Sequence, residues 1–274
     1  MECIRTLKRK SISFFIILHT ILKIILMKSI IQLFEDSTSK YGKNPFLWEK
    51  LDTEYQSTSY NQTKELVYEF AAGLISLGIK KGDRLALLAE GRNNWVIAEL
   101  GILYTGAINV PLSIKLDAEV ELRFRLQHSG TKMIIVSGAQ YQKVAHIKND
   151  LSELEKVILL DQKEGDLDAD EVYFNEILDL GKKYLAENRE KFNEIYQSIT
   201  GANIANISYT SGTTADPKGI ILSHRNYTAN VEQACTLMKI PEHYKTLIIL
   251  PLDHSFAHTA GIYSFMAYGA SLAF

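Results

Sequence analysis

The chain has 274 residues, of which 46% are hydrophobic and 23% are charged, and its formal net charge at pH 7 is −2. This composition is typical of a globular protein with a sizeable core, and without a basic stripe interleaved with aromatic residues it gives no reason to expect nucleic acid as a partner. The two cysteines, Cys3 and Cys235, belong to no Cys-x-x-Cys or His-rich metal spacing, so they fit a reduced compartment and a cytoplasmic location.

The first segment, residues 1–26, is a basic and apolar extension. Its first ten positions contain four basic residues: Arg5, Lys8, Arg9 and Lys10. The apolar run that follows is shorter than the ~20 residues that cross a bilayer, contains Lys23, and is not followed by the Ala-x-Ala cleavage pattern of a signal peptide. Two hypotheses stay open: translation starts at Met27 and the extension is an upstream artefact, or the extension is a tail that contacts membranes peripherally.

From residue 27 onward the hydrophobic pattern alternates between helices and short strands. Apolar residues at helical spacing predict a helix with Asn61 as its N-cap and Gly78 at its C-terminal end: Leu66, Val67, Phe70, Ala71, Leu74 and Ile75. The next elements are three short apolar strands and two helices: Arg84–Ala89, Met133–Val136, Val157–Leu160, Asn93–Tyr104 and Tyr141–Ile147. This alternation predicts an α/β fold with mainly parallel sheets and flanking helices.

Two charged segments separate this part from the last two predicted strands. The acidic stretch Asp161–Glu171 is rich in turn formers and lacks the carboxylate spacing of a calcium loop, so it predicts a solvated surface loop. The pattern from Glu171 to Gln197 is helical and highly charged, which predicts an exposed helical excursion. The sheet then resumes with strands at Ile204–Tyr209 and Ile220–Leu222.

The loop between those two strands is the most informative part of the sequence. It reads Tyr209-Thr-Ser-Gly-Thr-Thr-Ala-Asp-Pro-Lys-Gly219. Backbone amides, small hydroxyls and one ammonium group in so short a loop form a concave anion site, for which phosphate is the natural ligand. It is not a kinase-type P-loop, because Lys218 precedes Gly219 and a strand follows instead of a helix. On composition alone, a Ser/Thr/Gly-rich hairpin loop without a ligand stays as the alternative.

Two histidines, His254 and His258, are four residues apart near the end of the chain. A metalloprotease needs His-Glu-x-x-His, and the sequence here is His-Ser-Phe-Ala-His, so we do not predict a metal at this pair. Phe256, between the two histidines, is predicted to lie in the core.

The order Tyr-Thr-Ser-Gly-Thr-Thr-x-x-Pro-Lys-Gly resembles the signature loop of the adenylate-forming (AMP-binding) enzymes, which include acyl-CoA synthetases, luciferases and the amino-acid-activating domains of peptide synthetases. Further segments are similar to family elements in the same order: Tyr60–Arg84, Leu103–Leu112, Ser223–Asn226 and Leu250–His258. The last begins Leu-Pro-Leu-x-His, as in fatty-acyl members, so the chain looks most like the long-chain fatty-acid–CoA ligases. Ala215 departs from the pattern: it stands where the family usually carries glycine, and alanine adopts positive φ only at a cost of roughly 1 kcal/mol.

The resemblance implies a two-step reaction, in which ATP activates a carboxylate to an acyl-adenylate and coenzyme A then accepts the acyl group. The resemblance also implies that the nucleotide is bound by one set of loop residues: Thr210, Ser211, Gly212, Thr213, Thr214, Lys218 and Gly219. Within this set, the Thr213 hydroxyl is expected to bind Mg²⁺ and Lys218 to neutralise the phosphates, while Tyr209 and Thr210 fix the turn from strand to loop. His254 is expected to face the acyl group as the catalytic residue. The alternative for His254 is a satisfied, partly buried histidine.

The resemblance also implies that residues 27–274 are the N-terminal part of a longer AMP-binding domain. The family's later elements are not found in this sequence: the Tyr-Gly-x-Thr-Glu and Thr-Gly-Asp motifs and the C-terminal lid domain. We therefore expect little ligase activity from this chain alone, and a downstream polypeptide that completes the fold. Three functions stay open: a long-chain fatty-acid–CoA ligase, a ligase for an aryl or amino acid, and an inactive remnant or non-catalytic interaction protein.

Overall fold

A computed structural model describes residues 28–210 and 217–274, which form two β-sheets surrounded by helices. The strands are β1 (Pro45–Leu51), β2 (Glu54–Ser59), β3 (Arg84–Leu88), β4 (Ile108–Pro111), β5 (Thr131–Val136), β6 (Lys156–Leu159), β7 (Glu171–Tyr173), β8 (Ile204–Thr210), β9 (Lys218–Ser223), β10 (Lys245–Leu247) and β11 (Ser271–Ala273). The helices are α1 (Ile30–Tyr41), α2 (Tyr60–Ser76), α3 (Asn93–Tyr104), α4 (Arg123–Ser129), α5 (Gly138–Ile147), α6 (Phe174–Gln197), α7 (His224–Leu237) and α8 (Ser264–Ala267). Wider helical turns, Ala118–Leu122 and Ala257–Tyr263, precede α4 and α8.

The larger sheet has seven strands in the order β7-β6-β5-β3-β4-β8-β9, and the smaller has four in the order β10-β11-β1-β2. In the larger sheet every neighbouring pair is parallel except the β8–β9 hairpin. In the smaller sheet β11 pairs in parallel with both β1 and β10. The predicted α/β fold with mainly parallel sheets is therefore confirmed.

Helices cover both faces of the larger sheet, and this explains why β3 is apolar at successive positions. Leu85 and Leu87 face the layer that contains α1, α2, α3, α6 and α7. Ala86 and Leu88 face the opposite layer, which contains α4 and α5. Because successive side chains of a strand point to opposite faces, a strand covered on both sides has to be hydrophobic throughout.

Helix α2 begins two residues earlier than the sequence pattern indicated. Its N-cap is Ser59, not Asn61, because the Ser59 side chain accepts from the Gln62 N–H at 3.3 Å and the Gln62 side chain accepts from the Ser59 N–H at 2.9 Å. This reciprocal capping box satisfies two amide groups at the helix end. The predicted C-terminal end is confirmed: Gly78 has a φ of +91°, and the Ile79 N–H bonds to Leu74 O at 3.1 Å.

Helix α6 is not the exposed excursion that its charge predicted. One face packs against α2 through five buried residues: Phe174, Ile177, Leu178, Gly181 and Phe192. The two helices approach at glycines, since a β-carbon on Gly181 would overlap the Glu69 carbonyl oxygen and one on Gly73 would overlap that of Ile177. The charged positions form only the outer face of an amphipathic helix.

The acidic segment Asp161–Glu171 is largely solvated, but its last residue is buried at the β7 edge of the sheet. The Glu171 carboxylate accepts from Lys148 Nζ at 2.9 Å, from Lys163 Nζ at 2.5 Å and from the Tyr141 hydroxyl at 2.6 Å. Burial alone would raise the pKa of Glu171, but these donors lower it to about 2. Asp168 and Asp170 also contact Lys148, at 2.7 and 2.9 Å, so ammonium groups compensate this cluster of carboxylates.

Within the part of the chain that the structure describes, no helix combines the length and the apolar character needed to cross a membrane. Residues 1–27 and 211–216 lie outside the described residues. Both hypotheses for the N-terminal extension therefore stay open.

Candidate functional site

A crevice opens in the larger sheet between the carboxyl ends of β3 and β4. The chain leaves β3 towards α3 on one face of the sheet and leaves β4 towards α4 on the other face. In α/β sheets such a switch point is the usual place for a ligand. A cavity of about 310 Å³ lies here, lined by Ala89–Gly91, Leu112–Lys115 and Ile248–Asp253. We call it the β3–β4 lobe.

A second cavity of about 310 Å³ adjoins the first and shares Leu112, Ser113 and Asp253 with it. We call this cavity the β8 lobe, and the two lobes together the cleft. Its lining includes Thr210, at the end of β8, and His254. The structure thus brings together two predicted site residues that are far apart in the sequence.

The predicted phosphate loop closes the β8–β9 hairpin. Thr210 and Lys218 form the last pair of this antiparallel ladder, and both side chains are exposed where the loop begins and ends. Gly219 is opposite Tyr209 in the ladder, and a β-carbon there would lie 3.0 Å from Ile207 Cγ2. The remaining predicted residues, Ser211, Gly212, Thr213 and Thr214, lie outside the described residues, so their role as phosphate and Mg²⁺ ligands stays a prediction.

Tyr209 anchors the end of β8 to helix α4. Its hydroxyl lies 2.8 Å from His128 Nδ1 and donates to the Arg125 carbonyl at 3.3 Å, while the Arg125 guanidinium stands 5.8 Å from the ring centre. Burial raises the pKa of Tyr209, so the phenol stays neutral at physiological pH. These contacts support a role for Tyr209 in fixing the turn into the loop.

His254 lies in a tight turn at the mouth of the β8 lobe, with an exposed side chain. The backbone N–H of His254 donates to Pro251 O at 3.2 Å, and the ring nitrogen Nδ1 accepts from the backbone N–H of Phe256 at 3.4 Å. The prediction that Phe256 lies in the core is wrong, since 59% of this residue is exposed. Leu252, Ala257 and His258 occupy the inward positions of this segment, and Phe256 therefore points outward.

His258 is fully buried and belongs to a polar group that the sequence patterns did not reveal. Its Nδ1 lies 2.6 Å from Oε1 of Glu99, and the exposed fractions of the two side chains are 0% and 1%. The same carboxylate oxygen accepts from the Tyr263 hydroxyl at 2.9 Å and from Asn109 Nδ2 at 3.3 Å. One sign of this polar group is present in the sequence. Glu99 is the lone carboxylate in the largely apolar helix α3, and a buried carboxylate needs a buried partner.

The environment of His258 favours its charged form. Burial alone would lower the pKa of His258, but the charge and contact of Glu99 and the bond to the Leu252 carbonyl outweigh burial and raise it above its usual value. His224, which is also buried, differs in having no carboxylate beside it among the described residues. Burial, with a contribution from Lys81, lowers the pKa of His224 to about 3.

The family model of the AMP-binding enzymes matches residues 34–274, so this chain belongs to the AMP-binding enzyme family. Among curated proteins it is similar to the long-chain-fatty-acid–[acyl-carrier-protein] ligase AEE15, chloroplastic, of Arabidopsis thaliana, with 28% identity over 87% of this chain and 34% of the relative. It is also similar to the long-chain-fatty-acid–CoA ligase ACSBG2 of Xenopus laevis, with 27% identity over 89% of this chain and 33% of the relative. The chain thus spans about a third of the length of these two relatives.

Solved structures show the same fold. The anthranilate CoA ligase AuaEII in complex with anthranoyl-AMP superposes with a TM-score of 0.74 at 20% identity, over 90% of this chain and 45% of that one. The N-terminal domain of FACL13 from Mycobacterium tuberculosis gives a TM-score of 0.71 at 21% identity, over 90% of this chain and 57% of that one. The fold is therefore that of the N-terminal domain of adenylate-forming enzymes.

Proposed function

We propose that this chain provides the substrate cleft of an acid–thiol ligase that uses ATP to convert a long-chain fatty acid to an acyl-adenylate and then to an acyl-CoA. The observation that carries the proposal is the β8 lobe, where Thr210, at the start of the phosphate loop, and His254 line one cavity. The reacting phosphate and the carboxylate must meet in such a place. The β3–β4 lobe supports a fatty acid, because apolar side chains line it: Leu112, Ile114, Ile248, Ile249, Leu250 and Leu252.

The phosphate loop has to stabilise the charge that develops as pyrophosphate leaves. A carboxylate oxygen attacks the α-phosphorus, and the bond from that phosphorus to the bridging oxygen of pyrophosphate breaks. The two described donors beside the loop, the Thr210 hydroxyl and the Lys218 ammonium, are exposed at its ends and fit an anionic phosphate chain. Loop amides and the hydroxyls of Ser211, Thr213 and Thr214 would complete the cradle, with Thr213 holding Mg²⁺. The metal, when bound, would offset negative charge on the phosphates.

His254 is proposed to face the acyl carboxylate from the mouth of the β8 lobe. Its side chain is exposed there, and its backbone is held by the turn that begins at Pro251. Fixing the position of the imidazole in this way orients it before the substrate binds.

We further propose that this chain alone has little ligase activity and that a downstream polypeptide completes the fold. The chain spans about a third of the length of the AEE15 and ACSBG2 relatives. Large apolar side chains are exposed along β9 and around β10: Ile220, Ile221, Leu247 and Ile249. Such an apolar surface is typical of a face that other protein covers. The same observations favour a second candidate function, an inactive remnant that keeps the fold and binds a partner.

ATP binding by the 274-residue chain, measured by titration calorimetry with Mg²⁺ present, tests the phosphate site. We expect Lys218→Ala to weaken ATP binding by ten- to a hundredfold, since a charge-assisted hydrogen bond contributes about 1.5–3 kcal/mol. Lys182→Ala is the control, because Lys182 is also an exposed lysine but lies on α6, which does not line the cleft. We also expect Ala215→Gly to tighten binding. Equal ATP affinities of the Lys218 and Lys182 variants would contradict the proposal that Lys218 belongs to the phosphate site.

Pyrophosphate exchange separates the candidate functions by substrate. Exchange that depends on palmitate supports the fatty-acid ligase, whereas exchange that depends on benzoate or phenylalanine supports the ligase for an aryl or amino acid. A folded chain that supports no exchange and binds neither ATP nor any of these acids favours the non-catalytic alternative. We expect acyl-CoA formation by this chain alone to be negligible, and substantial formation would overturn the proposal that a second polypeptide is required.

A further inference from the structure

The buried pair of His258 and Glu99 lies directly behind the wall of the cleft. Glu99 is on α3, and His258 follows the segment Leu250–His254 that lines both lobes. The two side chains are 0% and 1% exposed. His258 also packs edge-on against Trp95, with ring centres 5.5 Å apart, and beside Tyr227 at 5.7 Å.

The partners of the imidazole fix its protonation. Its Nε2 lies 2.8 Å from the Leu252 carbonyl oxygen, which can only accept, so Nε2 carries a proton. Its Nδ1 lies 2.6 Å from Glu99 Oε1, the oxygen that also accepts from Tyr263 and Asn109. The charge of Glu99 at this distance, with the bond to the Leu252 carbonyl, raises the pKa of His258 and favours the imidazolium form.

Stability alone does not account for this pair. A buried ion pair contributes little compared with well-packed hydrophobic residues, because both charges lose their hydration. What this pair provides is a directed bond: the imidazolium donates to the carbonyl of Leu252, in the middle of the cleft wall. On the other side, Glu99 is linked through Asn109 to strand β4, at the floor of the crevice.

We propose that His258 is a positioning residue, which holds the cleft wall at Leu252 and Asp253 in its binding geometry, and that Glu99 keeps it protonated. The assignment of this wall to acyl binding rests on the proposed function. Four titratable groups face His258 from the elements packed around it: Glu99 on α3, Asp253 in the wall, Tyr227 on α7 and Tyr263 before α8. The two carboxylates favour the imidazolium, and its raised pKa agrees with this geometry.

Two variants of the full 274-residue chain test whether His258 acts through its hydrogen bond to Leu252 or only by filling the space behind the cleft wall. His258→Phe fills the cavity but cannot donate to Leu252, whereas His258→Gln retains an N–H donor. The matched control is His224→Phe, because His224 is equally buried but bonds to the Ile30 N–H, away from the cleft. Amide hydrogen exchange reports the position of the wall without any ligand. We expect His258→Phe to accelerate amide exchange in residues 250–256 at least tenfold relative to β5. His258→Gln should accelerate exchange there less than threefold, and His224→Phe should leave it unchanged.

A second readout connects the wall to acyl binding. The probes are ATP and a non-hydrolysable hexadecanoyl-adenylate analogue. We expect His258→Phe to weaken the analogue at least tenfold and ATP less than twofold. Unchanged exchange in residues 250–256 of His258→Phe, or a His258 ring without a proton on Nε2 in nitrogen NMR spectra at pH 7, would overturn the positioning role. If the wild-type chain binds neither probe, the proposed function fails, and the exchange and NMR measurements still decide the role of His258.

Discussion

The two edges of the seven-stranded sheet bury titratable groups in opposite ways. At the β7 edge, Glu171 is buried as a charge and is compensated by Lys148 and Lys163. At the β9 edge, where α7 begins, His224 is buried as a neutral ring whose Nδ1 accepts from the Ile30 N–H at 3.3 Å. The outer surfaces differ too, since Ile221 on β9 is 61% exposed. The β7 edge therefore depends on a buried charge that is compensated, and the β9 edge depends on the exclusion of charge.

Removing a compensating charge should have the largest effect. Lys148→Met leaves the Glu171 carboxylate buried with one ammonium partner fewer, and we expect the free energy of unfolding to fall by about 3 kcal/mol. Denaturant unfolding at pH 7 measures this loss. Lys182→Met, which removes a surface ion pair to Asp179 on an exposed side chain, should change it by less than about 0.5 kcal/mol.

The double variant Lys148→Met/Glu171→Leu sharpens this prediction. Removing both charges should recover most of the lost free energy, because an apolar replacement of a buried ion pair is often neutral. A Lys148→Met protein within 1 kcal/mol of the wild type would show that charge compensation does not stabilise the β7 edge.

Mild acid should destabilise the β9 edge before it affects the β7 edge. The pKa of His224 is lowered from 6.5 to about 3. The contribution of His224 to the free energy of unfolding is therefore complete above pH 6.5 and is lost progressively as the pH falls towards 3. The pKa of Glu171 is lowered from 4.5 to about 2, and its contribution is lost only below pH 4.5. His258 has a raised pKa, so its contribution is complete below pH 6.5 and is lost as the pH rises.

The titration of His224 by itself lowers the free energy of unfolding by about 2 kcal/mol between pH 7 and pH 5, at about 1.4 kcal/mol for each pH unit below 6.5, and the opposite contribution of His258 offsets part of this loss. In His224→Gln, whose side-chain oxygen can still accept from the Ile30 N–H, this slope should disappear. Unfolding curves at a series of pH values measure it. A slope that persists in the variant would assign the acid sensitivity to another group.

The smallest expected effect is a change at the exposed surface of β9. Ile221→Lys should change the free energy of unfolding by less than about 0.5 kcal/mol. It should nevertheless reduce self-association in sedimentation velocity experiments, because a lysine on an edge strand opposes pairing with another chain. Val120→Lys is the matched control, since Val120 is 71% exposed but does not lie on a sheet edge. Equal self-association of the two variants would show that the β9 edge does not mediate it.

Local patterns predicted the elements of the larger sheet well and those of the smaller sheet poorly. Strand β3 and helices α2 and α3 have continuous apolar runs or helical spacing, and these depend only on neighbouring residues. Strand β2 is exposed and polar along nearly its whole length, so no hydrophobic alternation marks it. Its pairing with β1, rather than its composition, makes it a strand.

The candidate site divides in the same way. The loop after Tyr209 is a contiguous motif, and its family could be recognised from the sequence alone. The interaction of Glu99 with His258 joins two isolated residues from distant parts of the chain, and Tyr263, which donates to the same carboxylate, is 164 positions from Glu99. The hydrophobicity of Phe256 predicts a core position, but the local sequence does not indicate in which direction the turn points this side chain.

The parallel pairing of β1 with β11 has a consequence for synthesis of the protein on the ribosome. The Ser271 hydroxyl bonds to Pro45 O across 226 positions, so strand β1 emerges long before its central partner exists. At translation rates of about 5–20 residues per second, that interval is roughly 10–45 s. Until then both edges of the β1–β2 hairpin are open, and the smaller sheet cannot be completed before β11 leaves the ribosome.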